Sequence, residues 1–366
     1  MHFREIKDLF SRIIEANPEN EIGAIVEELI PIPVVKEQLA SEDEISLETR
    51  IKLMKLLTRL INNNVARFDN NIVNPRFTDY RDDYYRNIRG YNVSSQEELW
   101  QAINDAEIIS VADFHFVHEP RFFLLMALRQ LLQQNEKVTV ALEPVLLAEQ
   151  RLLDEYLSRR NHHNIFARSV QVYHNDPVAF QLDRVIYEFL KDHRDRIRTI
   201  GTDTKGSLSD RDRHAAVLIA REKERNPEVP VVIFAGDLHF APSHLPAEIT
   251  KRTDASQVVV YQNIPRIYYG LLKDGLVLDG DVVRCNKNSF CVTSLSPLEL
   301  AIAHLDYKNL ASEDVDTTDM SYHEKAIALL RITYALDRIP LKKIVPFVKE
   351  LYQGTRILRE VESEAA

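Results

Sequence analysis

Nine glycines in 366 residues leave little room for glycine-rich phosphate loops, and neither a GxGxxG turn nor a Walker-type loop occurs. A GxSxG nucleophile elbow and an HExxH zinc helix are also missing, which removes the common serine-hydrolase and metalloprotease readings. Cysteine is almost absent: Cys285 and Cys291 are too few for a disulfide scaffold or a thiolate zinc site. No apolar run approaches the ~20 residues that a membrane span requires. The segment Met1 to Phe10 alternates charged and apolar residues and does not read as a secretory signal. With 46 basic against 56 acidic residues, net charge −10 and no Lys/Arg cluster, nonspecific nucleic-acid binding is disfavoured. The expectation is a cytoplasmic chain that neither spans a membrane nor binds nucleic acid.

What is present suits a sizeable core, since 45% of residues are hydrophobic and 28% charged. Residues 1 to about 64 carry apolar residues at helical spacing, with Leu53, Leu56, Leu57, Leu60 and Ile61 covering a broad face. Residues 65–93 are rich in Asn, Asp, Arg and Tyr and read as a connecting excursion on the surface. From residue 94 strands and helices alternate. Ser94 and Ser95 cap a short helix, then come strand 107–112, helix 119–134, strand 138–142, helix 146–159, helix 177–192, strand 197–201, helix 210–225, strand 229–235, helix 243–251 and strand 257–261. Such alternation predicts βαβ units and an α/β fold: a mainly parallel sheet flanked by helices, with helical N- and C-terminal extensions and a small β-hairpin extension. The expected division is 1–93 for the N-terminal extension and connecting loop, 94–295 for the α/β domain and 296–366 for the C-terminal helices. Cys285 and Cys291 flank the turn-like Asn286 to Ser289, which would place them across a hairpin from each other as reduced thiols.

Twice a buried-type run ends in a small residue followed by Asp-x-His: Ile108 to His115 through Ala112-Asp113, and Val231 to His239 through Gly236-Asp237. Each delivers an acid and an imidazole to the C-terminal end of a strand, where α/β folds bind ligands. Asp113, His115, His118 and Glu119 offer nitrogen and oxygen donors at one strand-to-helix junction, suited to Zn, Mn, Fe or Co. Glu143 follows strand 138–142 directly and needs a partner if buried, although Pro144 also suits a helix entry. Asp203 leaves strand 197–201 on the same edge. In Ser209 to His214 the Ser and Asp residues are well explained as helix caps, so Arg211, with His214 behind it, carries the functional expectation there.

The order of these pieces resembles the ChaN-like haem-binding family, within the superfamily that also holds the erythromycin esterases and the Tiki/TraB proteins. The phrases that carry the resemblance are His115, Glu143, Arg211-Asp212 and Gly236-Asp237-Leu238-His239, together with the tyrosine-containing turn Tyr173 to Phe180. It covers about residues 105–265, with Ala112-Asp113 where a Gly-Glu pair is common. The resemblance implies a pocket binding haem or a divalent metal ion (Mn, Zn, Co or Fe). His115, Tyr173 and His239 would contact the cofactor, and Asp113, His115, Glu143 and His239 would ligate a metal. It equally admits a metal-dependent, esterase- or peptidase-like hydrolase in which Glu143, Arg211 and His239 are catalytic. A third class is a non-catalytic interaction protein with a vestigial pocket. Expected partners are haem or another small molecule, with homodimerisation left open.

Overall fold

The computed structural model describes residues 51, 55, 58, 62, 75–88, 90–158, 177–276, 281–301 and 303–304. Tyr173, with residues 159–176, and most of the segments expected to be helical at the N-terminus and beyond 304 lie outside the described residues. Two compact units make up the chain: residues 1–71, 268–279 and 295–366 in one, and 72–267 with 280–294 in the other.

The second unit holds the sheet. Its elements run α1 (Pro75–Asn87), β1 (Asn92–Val93), α2 (Gln96–Asp105), β2 (Ile108–Asp113), α3 (Glu119–Gln134), β3 (Val138–Leu146), α4 (Gln150–Ser158), α5 (Pro177–Asp192), β4 (Ile197–Asp203), α6 (Leu208–Arg225), β5 (Val231–Gly236), α7 (Leu245–Thr250) and β6 (Gln257–Gln262). After α8 (Pro265–Lys273) come β7 (Asp281–Asn286) and β8 (Ser289–Thr293). One eight-stranded sheet results, in the order β1-β7-β8-β6-β2-β5-β3-β4. The strands from β8 to β4 run parallel, and β7 and β1 add on antiparallel. The α/β class, the mainly parallel sheet and the flanking helices are as expected. Among the described residues no helix is long and apolar enough to cross a membrane.

Local chemistry explains these elements. All six residues of β2 and the first five of β5 are buried, consistent with Val/Ile-rich strands covered on both faces. Helix α3 begins with Glu119-Pro120, placing a fixed φ and an acid in the first turn. Helix α6 opens on a capping box, in which Ser207 accepts from the Asp210 backbone and Asp210 accepts from that of Ser207. The helix thus begins two residues earlier than its sequence reading. Strand β3 runs past Glu143-Pro144 instead of ending there, and the proline sits at a register irregularity between Leu142 and Leu146, where a missing N–H is tolerated.

Two expectations fail. Residues 75–87 form a helix and not an irregular excursion: Tyr80, Tyr84 and Ile88 recur at helical spacing and are all buried. The hairpin of β7 and β8 pairs Cys291 with Val283, so the two thiols are not opposite one another and both are free. In the other unit, Tyr269 meets the Thr58 hydroxyl at 3.3 Å and the Lys55 ammonium lies 4.9 Å from its ring centroid. There Ser296 and Glu299 exchange capping hydrogen bonds as residues 297–301 turn helical.

The irregularity in β3 is filled closely. A Cβ on Gly201 would stand 2.8 Å from the Val145 carbonyl oxygen and 3.0 Å from that of Leu146, both backbone atoms. Gly201→Ala is expected to destabilise the fold by about 1–3 kcal/mol, read as a lower urea midpoint with an unchanged m-value.

Candidate functional site

Register brings the two Asp-x-His segments together. Asp113 ends β2 directly opposite Gly236 of β5, while Leu142 of β3 pairs with Phe234 on the other flank of β5. The C-terminal ends of β2, β5, β3 and β4 therefore sit side by side, where the chain order of the strands is interrupted. Gly236 marks the meeting point: a Cβ there would lie 3.4 Å from His115 Nε2 and 3.4 Å from Glu143 Oε2. Its own N–H donates to Glu143 Oε2 at 2.5 Å.

The first dyad is His115 with Asp113. His115 Nδ1 lies 2.6 Å from Asp113 Oδ2. Behind it stands Arg121, wholly buried, which donates to Asp113 at 3.0 Å and to Asp183 of α5 at 2.7 Å. The same guanidinium donates to the carbonyls of Val117 at 2.6 Å, Phe114 at 3.3 Å and His115 at 3.3 Å, fixing the loop that carries the imidazole. The His115 side chain remains 50% exposed, so its Nε2 is open to a ligand. Desolvation opposes its protonation, but the Asp113 hydrogen bond and charge, with that of Glu143, lift its pKa to about 9.

The second dyad is His239 with Asp212. His239 sits in the short turn after β5, with Nδ1 2.6 Å from Asp212 Oδ1 and Nε2 3.1 Å from Glu143 Oε1. Carboxylates only accept, so both ring nitrogens donate and the buried ring is an imidazolium. Despite desolvation, Glu143 and Asp212 raise its pKa to about 10. Arg211 completes the cluster, donating to Glu143 Oε1 at 2.5 Å and to Asp203 Oδ1 at 2.6 Å. Burial alone would raise the Glu143 carboxyl, yet His239, His115 and Arg211 together hold it well below the usual carboxylate range. Burial pushes the neighbouring Asp237 up to about 6, against the opposing influence of Tyr84 and His115.

Helix α1 closes the second dyad. The Tyr80 hydroxyl donates to Asp212 Oδ2 at 2.7 Å and lies 3.3 Å from His239 Nδ1. Its ring stacks on His244 with centroids 3.6 Å apart. His244 Nδ1 donates to the Leu238 carbonyl at 2.7 Å, and its Nε2 lies 3.3 Å from Asp83 of α1. Burial and the Asp212 charge raise the Tyr80 pKa beyond the usual phenol range, keeping the hydroxyl a donor.

Of the sequence-derived residues, Asp113, His115, Glu143, Arg211 and His239 fall in this connected arrangement. His118 precedes α3 as an exposed ring 5.9 Å from that of Phe122, and Nε2 of His214 is buried without a hydrogen-bond partner among the described residues. The four donors expected to hold a metal do not converge as one free set: among the described residues no three His, Cys, Asp or Glu side chains form a ligand cluster. Both oxygens of Glu143 and both nitrogens of His239 already have protein partners. Sequence reasoning missed Arg121 and Tyr80 and assigned Asp212 to a cap. The spacing of Tyr80, Tyr84 and Ile88 was a usable signal for α1, whereas Asp212 is masked by the cap-rich run around it.

No family model and no curated protein matches the chain. Two solved structures are similar. One, described as cofacial haem binding to ChaN of Campylobacter jejuni, is 16% identical with a TM-score of 0.30, over 47% of this chain and 87% of that one. The other, the type III effector HopBA1, is 14% identical with a TM-score of 0.40, over 57% of this chain and 98% of that one. Likenesses of this degree assign neither a ligand nor a reaction to this chain.

The raised imidazole pKa values carry a stability signature. Against an unfolded value near 6.5, His239 at about 10 stabilises the fold fully below about pH 6.5 and loses that contribution as pH climbs toward 10. His115, at about 9, acts in the same direction. The urea midpoint of the native chain is expected to fall between pH 7 and 10. Asp212→Asn should lower stability by about 1–3 kcal/mol at pH 7 and flatten that fall.

Proposed function

We propose that the protein binds haem at this rim, where His115 would hold the iron. The observation that carries the reading is the availability of one donor: among the described residues His115 Nε2 has no hydrogen-bond partner, on a half-exposed ring whose Nδ1 is fixed by Asp113. A divalent ion without a macrocycle takes three or more protein donors, and the other candidate donors here are held by Arg211, Gly236, Asp212 and Arg121. Haem iron brings four nitrogens of its own and asks the protein for one or two. A carboxylate on the far side of the ring raises ligand basicity and sets its orientation, which is the part Asp113 plays. Aromatic surface adjoins the ligand in sequence: Phe114 and Phe116, with ring centroids 6.0 Å apart, flank His115. Bound haem would supply the ligand-binding and electron chemistry of its iron; the chain presents Nε2, holds its tautomer and releases its proton.

A second reading, a hydrolase that needs no metal, is favoured by the other dyad. Above its pKa of about 9, where the ring is neutral, His115 Nε2 would take a proton from the attacking group, while the His239 imidazolium and Arg211 would offset negative charge beside Glu143. For the metal-dependent form of that hydrolase, no three His, Cys, Asp or Glu side chains form a ligand cluster among the described residues. The interaction-module reading rests on terminal helices outside the described residues.

Titration of the full chain with haemin, followed by visible absorbance, separates these. The expected result is a saturable Soret shift that His115→Ala weakens at least tenfold and His118→Ala leaves unchanged. No Soret shift, or a His115→Ala protein that binds as the native chain does, would overturn the haem reading. Hydrolysis of p-nitrophenyl esters that disappears in His115→Ala without any haemin shift would instead support the second.

A further inference from the structure

We infer that a second, separate cavity at the open edge of the sheet binds a small amphipathic anion, with a carboxylate or phosphate head and an apolar body. The cavity measures about 490 Å³, a size suited to a small organic ligand, and lies along β4, the terminal strand of the sheet, between α4 and α6. It lies well apart from the histidine cluster. Arg211 of that cluster opens α6, whereas Leu218, Arg221 and Arg225 line the cavity at the other end of the helix. Ten residues of helix separate Arg211 from Arg221, or about 15 Å.

The cavity wall has two kinds of surface. Leu147, Leu157, Ile200 and Leu218 supply apolar lining, and Leu147 is left 38% exposed. Arginine supplies the charge: Arg194, Arg198, Arg221 and Arg225 reach the cavity from three elements in a protein whose net charge is −10. Arg198 is paired with Glu222 at 3.2 Å. Arg221 and Arg225, one turn apart on the same face of α6, have no carboxylate partner among the described residues, and Arg194 reaches only the Lys191 carbonyl, at 3.4 Å. Three acids also line the cavity: Glu222, which Arg198 pairs with, and Asp154 and Asp195. Asp154 accepts from Gln150 at 2.8 Å.

A different occupant, an extra β-strand, is disfavoured by Gln150. Its side-chain amide accepts from the Gly201 N–H at 2.7 Å and donates to the Thr199 carbonyl at 3.0 Å, occupying the edge positions that an added strand would use. What stays open is a pocket with apolar walls and guanidinium heads able to grip a carboxylate or phosphate in two-pronged fashion.

The test is calorimetric titration of the full chain with decanoate, decyl phosphate and, as the uncharged arm, decanol, repeated on R221E/R225E and on Leu218→Glu. Saturable one-to-one binding of at least one anion, tenfold or more weaker in both variants and absent with decanol, is the expected result. The head group that binds tighter identifies the source class. R221E/R225E changes only exposed side chains, so a native circular dichroism spectrum in that variant keeps the result interpretable if Leu218→Glu fails to fold. Anion binding that is unchanged in R221E/R225E, equal binding of decanol, or no binding of either anion would overturn the inference. The haemin titration of R221E/R225E should match the native chain, because this cavity stands independently of the His115 site.

Discussion

A single buried guanidinium organises the site. Arg121 is wholly enclosed, and its donors are spent on Asp113, Asp183 and three loop carbonyls. A charge taken out of water is costly unless each of its donors finds an acceptor, and here they do. Removing one partner of such a buried network costs about 3–5 kcal/mol, because the other charges are left uncompensated. Through Asp113 the network fixes one ring nitrogen of His115, through the loop carbonyls it fixes the backbone that carries the ring, and through Asp183 it ties both to α5. Asp183 lies where burial raises its pKa, so Arg121 also serves to keep that carboxyl from standing alone.

The consequence is an asymmetry between two imidazoles that the sequence presents in similar phrases. Both end a buried strand, both have an aspartate on Nδ1, and both adjoin Glu143. His239 is enclosed and spends its second nitrogen on Glu143, while His115 keeps Nε2 open beside Gly236. The second dyad, with Arg211, Asp203 and Tyr80, therefore forms a charged framework, and the first presents the exposed ring. Gly236 stands between the two, since a Cβ there would lie within van der Waals contact of both His115 and Glu143.

Much of this could be read from residue order. The runs 108–112 and 231–235 are buried strands because Val, Ile and Phe on both faces suit a parallel sheet covered by helices, and the helices 119–134 and 177–192 match their apolar spacing. The meeting of His115, Glu143 and His239 followed from the C-terminal halves of β2, β3 and β5 lying side by side, although Glu143 sits within β3 and not at its end. Less legible was whatever depends on partners remote in sequence. Arg121 looks like a surface residue in an amphipathic helix until Asp113 and Asp183 are placed around it. Asp212 sits among Ser and Asp residues whose local role as caps is sufficient, and only the tertiary placement of His239 gives it another. Tyr80 lies in a charged, tyrosine-rich stretch whose weak helical period was overridden by its polarity. Glu143-Pro144 suggested a helix entry because the sequence does not announce a strand irregularity that accommodates proline.

The claim on which the account turns is that these two rings differ in availability. The most direct measurement is nitrogen-15 NMR of histidine-labelled protein across pH 5 to 11. The expected result is one ring, assigned to His239 by substitution, with both nitrogens protonated and slowly exchanging to about pH 10. The ring of His115 should titrate near 9 and exchange its Nε2 proton rapidly with water. Two rings titrating together near 6.5, or a His115 Nε2 proton protected from exchange, would contradict it.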